Sequence, residues 1–320
     1  MNHNDNTYDN DILNEDSDIL DDDILDETND DLEDYDDDDN LEEPKQRAQE
    51  ATPGQSPDTS ETERQKPSIV RRIILIAAIL VFCYSAGMLI KIFLEYKQGD
   101  DIYNNIQNQV LNTDTSTSVN LDDEDVEIPF MYDHNQLLSI NSEGIGYLYI
   151  PSINLRLPMV QSTDNEFYLD HTFDKSPNKN GCLFEDYRIT GGLSATNVII
   201  YGHNMHNGSM FGLLSRYNSE SFYLTEGHDT FLIYTENKVM QYRIFSVYVS
   251  EPVSDTYTFN FSNTATLQEY AKNMKALSIY DTGVDVDNVS QVVTLSTCTY
   301  NGEQRFIVQG AYVGEALLNY

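Results

Sequence analysis

Hydrophobic and polar positions divide this chain into three textures. Up to about residue 66, paired apolar residues (Ile12 and Leu13, Ile19 and Leu20, Ile24 and Leu25) sit among long acidic runs with no sustained period. From Ile73 to Ile90 eighteen residues carry no charge. That run makes about 27 Å of helix at roughly 1.5 Å per residue, close to the ~30 Å thickness of a hydrocarbon core. Lys91 can snorkel and add a turn. From about Asn141 onward, short β-rich runs alternate with turn residues.

The third texture contains eight predicted strands: "GYLYIP", "LRLPMVQ", "GCLFEDYR", "NVIIYGH", "TFLIYTE", "VMQYRIFSVYVS", "QVVTLSTC" and "RFIVQGAYV". Many are apolar at nearly every position, as strands covered on both faces require. "TENK" reads as a hairpin between the fifth and sixth. One segment breaks the β pattern. In "TLQEYAKNMKALSIY", Leu267, Tyr270, Ala271, Met274 and Leu277 recur at helical spacing, and Thr266 with Glu269 suggests a capping box. The expected fold is mainly β: an eight-stranded barrel with a helix inserted between strands six and seven, behind an N-terminal transmembrane helix.

Charge sharpens the division. Of the 54 acidic residues, 25 lie in the first 66, alongside only 4 of the 18 basic ones. Such a tail cannot bury enough apolar surface to offset chain entropy and is expected to be disordered. It is either a solvated repulsive tail or a docking tail for a basic partner, with a partner-induced helix open to its apolar pairs. No basic patch exists for nucleic acid. Arg64, Lys66, Arg71 and Arg72 flank the apolar run on its N-terminal side, which predicts a cytoplasmic tail and an exported C-terminal part. A cleaved signal peptide fits worse, because the run is long and lies behind 70 residues. The expected segments are an acidic tail over 1–70, a membrane helix over 71–94, an extracellular stalk over 95–132 and a catalytic domain over 133–320.

Three cysteines are present, and Cys83 lies within the span. Cys182 and Cys298 therefore either form one bridge or remain reduced for a reason. Cys298 ends a strand among Ser296, Thr297, Thr299 and Tyr300, a poor setting for an apolar core plug, although buried thiols often only pack. His203 ends another strand after Gly202, so its imidazole is aimed at the barrel rim, unlike the other five histidines. Arg305 follows Cys298 by seven positions and opens the last strand. It is either a solvated edge charge or the group that stabilises a thiolate and an oxyanion.

"TLSTC" followed by that arginine, with "IIYGHN" about 95 residues upstream, resembles the sortase family. "LPMVQSTDNEFYL", "FEDYR", "YGHNMHNGSMF" and "FSVY" stand in the order of its class B, and the inserted helix resembles the class B insertion. The resemblance covers about residues 133–320. It implies a sortase-type barrel and a membrane-anchored cysteine transpeptidase of a Gram-positive cell surface. Cys298 would attack a threonine carbonyl in the C-terminal sorting motif of a secreted protein, and His203 would act as general acid and base. Arg305 would hold the oxyanion, and an amine of a peptidoglycan precursor or a pilin would resolve the thioester. Asn165, Leu169, Tyr257, Ser296 and Thr297 would line the motif groove. The resemblance calls for no cofactor, and no acidic cluster matches a class A calcium site. Cys182 stands where the family commonly has a small hydroxyl residue and is expected to be buried and reduced. No carboxylate is assigned to orient His203. Two rivals are an L,D-transpeptidase, which has Gly before its cysteine where this chain has Thr297, and a tethered binding protein without chemistry.

Overall fold

A computed structural model of the chain describes residues 69–121 and 124–318. The acidic tail, with Arg64 and Lys66, lies outside the described residues. Helix α1 spans Ile69–Val110. Its apolar first part, Ile73 to Ile90, is exposed almost throughout and is long and apolar enough to cross a membrane. From Gly87 onward the chain forms one compact unit.

All eight expected strands are present: β1 Gly144–Ile150, β2 Leu155–Gln161, β3 Leu183–Glu185, β4 Asn197–Tyr201, β5 Thr230–Tyr234, β6 Lys238–Ser250, β7 Val292–Cys298 and β8 Arg305–Leu317. They close into a barrel in the order β6-β8-β7-β4-β3-β2-β1-β5. The pairs β2·β3 and β4·β7 are parallel; the others are antiparallel. Two buried layers explain the near-continuous apolar strands. Val293, Leu295, Phe306 and Val308 join the main core, whereas Val292, Ile307 and Ala311 face a second core on the other side of the wall. Successive residues on a strand point to opposite faces, so a strand covered on both sides needs apolar residues at both parities.

The second core is roofed by helix α4, Thr264–Ala276, which lies between β6 and β7 after the short helices α2 (His134–Ile140) and α3 (Glu220–Tyr223). Leu267, Tyr270, Ala271 and Met274 pack on Phe245, Tyr248 and Ile307. The cap differs from the expected Thr266 and Glu269. Asn263 is the N-cap, its side chain accepting from Thr266 N at 3.1 Å while Thr266 Oγ1 receives the Asn263 amide. Both positions carry capping side chains three residues apart, and the earlier start yields one more stretch of helix. Leu277 is the C-cap and 53% exposed, so it leaves the apolar stripe.

Residues 95–132, read as a polar stalk, contain regular elements. The end of α1, a pairing of Leu111–Asn112 with Met131–Tyr132, and a hairpin of Thr117–Leu121 with Glu124–Ile128 occupy this segment. Tyr103, Ile106, Val110, Leu111, Ile128, Phe130 and Tyr132 enter the main core. The apolar spacing switches from helical to alternating within about twenty residues, so no single period stands out in the sequence.

Candidate active site

Strands β4 and β7 run side by side in parallel, with Tyr201 opposite Ser296. The pairing continues past the end of β4, where Gly202 N donates to Ser296 O at 3.2 Å. Gly202 fits because a Cβ there would lie 2.4 Å from Leu183 and 2.7 Å from Phe211. His203 therefore leaves the sheet beside the last residues of β7, and Asn204 Nδ2 donates to Cys298 O at 3.0 Å. Cys298 is half-buried and no disulfide joins the cysteines.

Arg305 lies directly opposite Cys298 in the antiparallel β7·β8 register. The connecting loop is tight: Thr299 N donates to Gln304 O, and Gly302 N donates to Thr299 O, both at 2.9 Å. Arg305 is only 4% exposed, which removes the reading as a solvated edge charge; β8 is paired on both sides. Its Nη1 donates to Gly302 O at 3.0 Å and Gln304 O at 3.1 Å. No carboxylate pairs with it among the described residues. A buried cation costs free energy without a counter-charge, so this arrangement can accommodate a negative charge beside it.

The His203 imidazole is oriented by a backbone group. Its Nε2 lies 2.6 Å from Leu169 O. A carbonyl oxygen only accepts, so Nε2 carries a proton in this contact. The resemblance implies that Leu169 lines the motif groove; its carbonyl meets His203 as well, a contact that no residue type could announce. Gly181 makes room for it. Its φ is +60°, and a Cβ there would lie 2.7 Å from Leu169 O and 3.0 Å from His203 Cδ2.

On the outer face of β7, Ser296 Oγ and Tyr257 Oη are 3.0 Å apart. Burial pushes the Tyr257 phenol up to about 12; the bond to Ser296 and nearby Arg305 oppose the shift, and Cys298 adds to it. Tyr257 stacks on Tyr201, whose hydroxyl donates to Asp186 Oδ2 at 2.9 Å. Asn165 Oδ1 accepts from Tyr187 N at 3.0 Å and so joins the same wall. Thr297 points the other way. It lines a cleft of about 430 Å³ with Cys298, Asn204, His206, Ser215, Asn218 and Tyr300. Its Oγ1 is buried and has no hydrogen-bond partner among the described residues. Cys182 is 1% exposed, and burial pushes its thiol up to about 12, which leaves it unreactive. No cluster of potential metal ligands occurs among the described residues.

A sortase-domain family model matches residues 148–313, just over half of the chain. The chain belongs to the sortase family. Sortase B of Listeria monocytogenes is 31% identical over 229 residues, covering 69% of this chain and 92% of that protein, which puts the chain in class B. The structure of Bacillus anthracis sortase B in complex with AAEK1 superposes with a TM-score of 0.57 at 26% identity, covering 69% of this chain and 99% of that one. A Staphylococcus aureus sortase B–substrate complex superposes at 0.51 with 26% identity, covering 57% and 84%. This sortase is accordingly an enzyme, a transpeptidase, which sets aside the L,D-transpeptidase and the binding-protein readings.

Proposed function

We propose that this sortase cleaves a C-terminal sorting motif of secreted proteins through a thioester on Cys298. The Cys298 thiolate attacks the threonine carbonyl, the oxyanion collapses and the C–N bond breaks. The imidazolium of His203 gives its Nδ1 proton to the leaving amine, while Nε2–H stays on Leu169 O. An incoming neutral amine of a peptidoglycan precursor or a pilin then attacks the thioester, gives one proton to Nδ1, forms the new amide and releases the thiolate, which restores the thiolate–imidazolium pair. Arg305 holds the oxyanion in both halves.

The observation that carries this reading is the Cys298–Arg305 register pair, with the guanidinium buried and lacking a carboxylate. Asn165, Leu169, Tyr257 and Ser296 would line the motif groove on the outer face. The cleft on the Thr297 side, which holds no acidic residue in its lining, would admit the neutral amine. The exposed apolar part of α1 supports a single-pass anchor over about 71–94. The basic residues on its N-terminal flank favour a cytoplasmic tail, with the barrel of 133–320 outside the cell. Incubation with a library of sorting peptides followed by mass spectrometry is expected to find an acyl adduct on Cys298, absent from Cys298→Ala. An adduct on Cys182, or none on either cysteine, would refute the assignment.

A further inference from the structure

The groups behind His203 extend the site to a helix outside the barrel. Glu95, Gly99 and Tyr103 are four residues apart and share one face of α1, toward its C-terminal end. That face carries loop 178–182. Asn178 Nδ2 donates to Glu95 O at 3.1 Å. Gly99 is buried, and a Cβ there would lie 2.2 Å from Asn180 Nδ2. Tyr103 is 8% exposed, and its hydroxyl donates to Gly181 O. The loop is fixed to the next one by Cys182 N donating to Tyr168 O at 2.9 Å. A Cβ on Gly181 would meet both Leu169 O and His203 Cδ2, so only a glycine can border them here.

We infer that Tyr103 is a positioning residue for His203, acting from α1 through the Gly181 peptide on the Leu169 carbonyl that holds Nε2–H. This rests on the role proposed above for His203. The phenol holds the carbonyl side of the Gly181–Cys182 peptide, whose N–H side is held by Tyr168 O. Without it the peptide is held on one side only, and the wall against Leu169 O and the imidazole loosens. An imidazole without a fixed acceptor at Nε2 divides between its two tautomers, and only one presents a free Nδ1 to the reacting groups. The helix that carries the apolar run is thereby part of the catalytic apparatus.

The test uses the full chain in detergent micelles, labelled with 15N-histidine, and follows sorting-peptide turnover with an amine acceptor. Tyr103→Phe keeps the ring and loses the hydroxyl. It is expected to lower kcat about tenfold with both KM values unchanged, and to replace the single Nε2–H signal of His203 by a mixture. Tyr223→Phe is the control, since its hydroxyl donates to Ile244 O and Thr282 O, each at 3.1 Å. It loses comparable buried bonds and is expected to keep kcat and tautomer. If Tyr103→Phe does not fold, Gly99→Ala pushes on Asn180 and is expected to give the same two changes. Parental kcat and tautomer in Tyr103→Phe, or equal losses in both tyrosine variants, would overturn the inference. Parental turnover by His203→Ala would instead refute the underlying reading of the site, and the inference with it.

Discussion

At the scale of single residues, the site depends on charge placed where water cannot screen it. Arg305 donates to two loop carbonyls and sits opposite Cys298 in the register. Arg305→Lys keeps the charge and loses the planar fork. It is expected to lower the acylation rate about 10²–10³-fold, the usual loss for one oxyanion donor, measured by single-turnover formation of the acyl adduct. Glu185 presents the opposite case. It is fully buried, and neither carboxylate oxygen has a hydrogen-bond partner among the described residues. Burial first and Asp186 second raise its pKa from 4.5 to about 8. The folded state then holds this proton more tightly than the unfolded chain, so stability falls as pH rises from about 4.5 to about 8. Glu185→Gln cannot ionise. Urea unfolding is expected to show the variant gaining on the parent by on the order of 3 kcal/mol between pH 5 and pH 8. A parental slope retained in the variant would assign the pH dependence to other groups.

At the scale of elements, α4 supports one wall of the proposed motif groove. The Tyr270 hydroxyl donates to Thr256 O at 2.7 Å and accepts from Gln309 Nε2 at 2.8 Å and Asn197 Nδ2 at 3.2 Å. Thr256 precedes Tyr257 in a short 3-10 turn, so the helix holds the tyrosine that meets Ser296. Tyr270→Phe is expected to raise the KM for a sorting peptide about threefold to tenfold with little change in kcat, as loss of groove order without loss of chemistry predicts. The helix itself was legible in the sequence because Leu267, Tyr270, Ala271 and Met274 repeat at one period. Its start was not, because Asn263 and Thr266 are equally good caps. The end of α1 escaped for a related reason: Gly99 is buried by a close approach to Asn180, and a glycine contributes nothing to an apolar count.

At the scale of the whole molecule, strand content was readable because a doubly covered wall writes apolar residues at both parities. The places of Cys298, His203 and Arg305 at or just past strand ends were legible as well. The contacts that orient them, from Leu169 O to His203 and from Gly302 O and Gln304 O to Arg305, are backbone groups, which every residue possesses. The anchor proposal also belongs to this scale. Protease added to intact cells is expected to remove the barrel and to spare the segment before the apolar run; the reverse pattern would invert the topology.

The parallel pairing of β4 with β7 has a consequence for the history of each molecule. His203 and Cys298 come together only through contacts between segments nearly a hundred residues apart, closed late against a large loop entropy. Antiparallel neighbours such as β5 and β6 can pair across a short turn far sooner. With the proposed topology and nucleophile, a nascent chain emerging outside the cell acquires most of its barrel before it acquires any chemistry, and its thiol is not poised while the chain is still incomplete. In refolding from denaturant, recovery of acylation is expected to lag β-sheet ellipticity; simultaneous recovery would place β4·β7 closure in the first step.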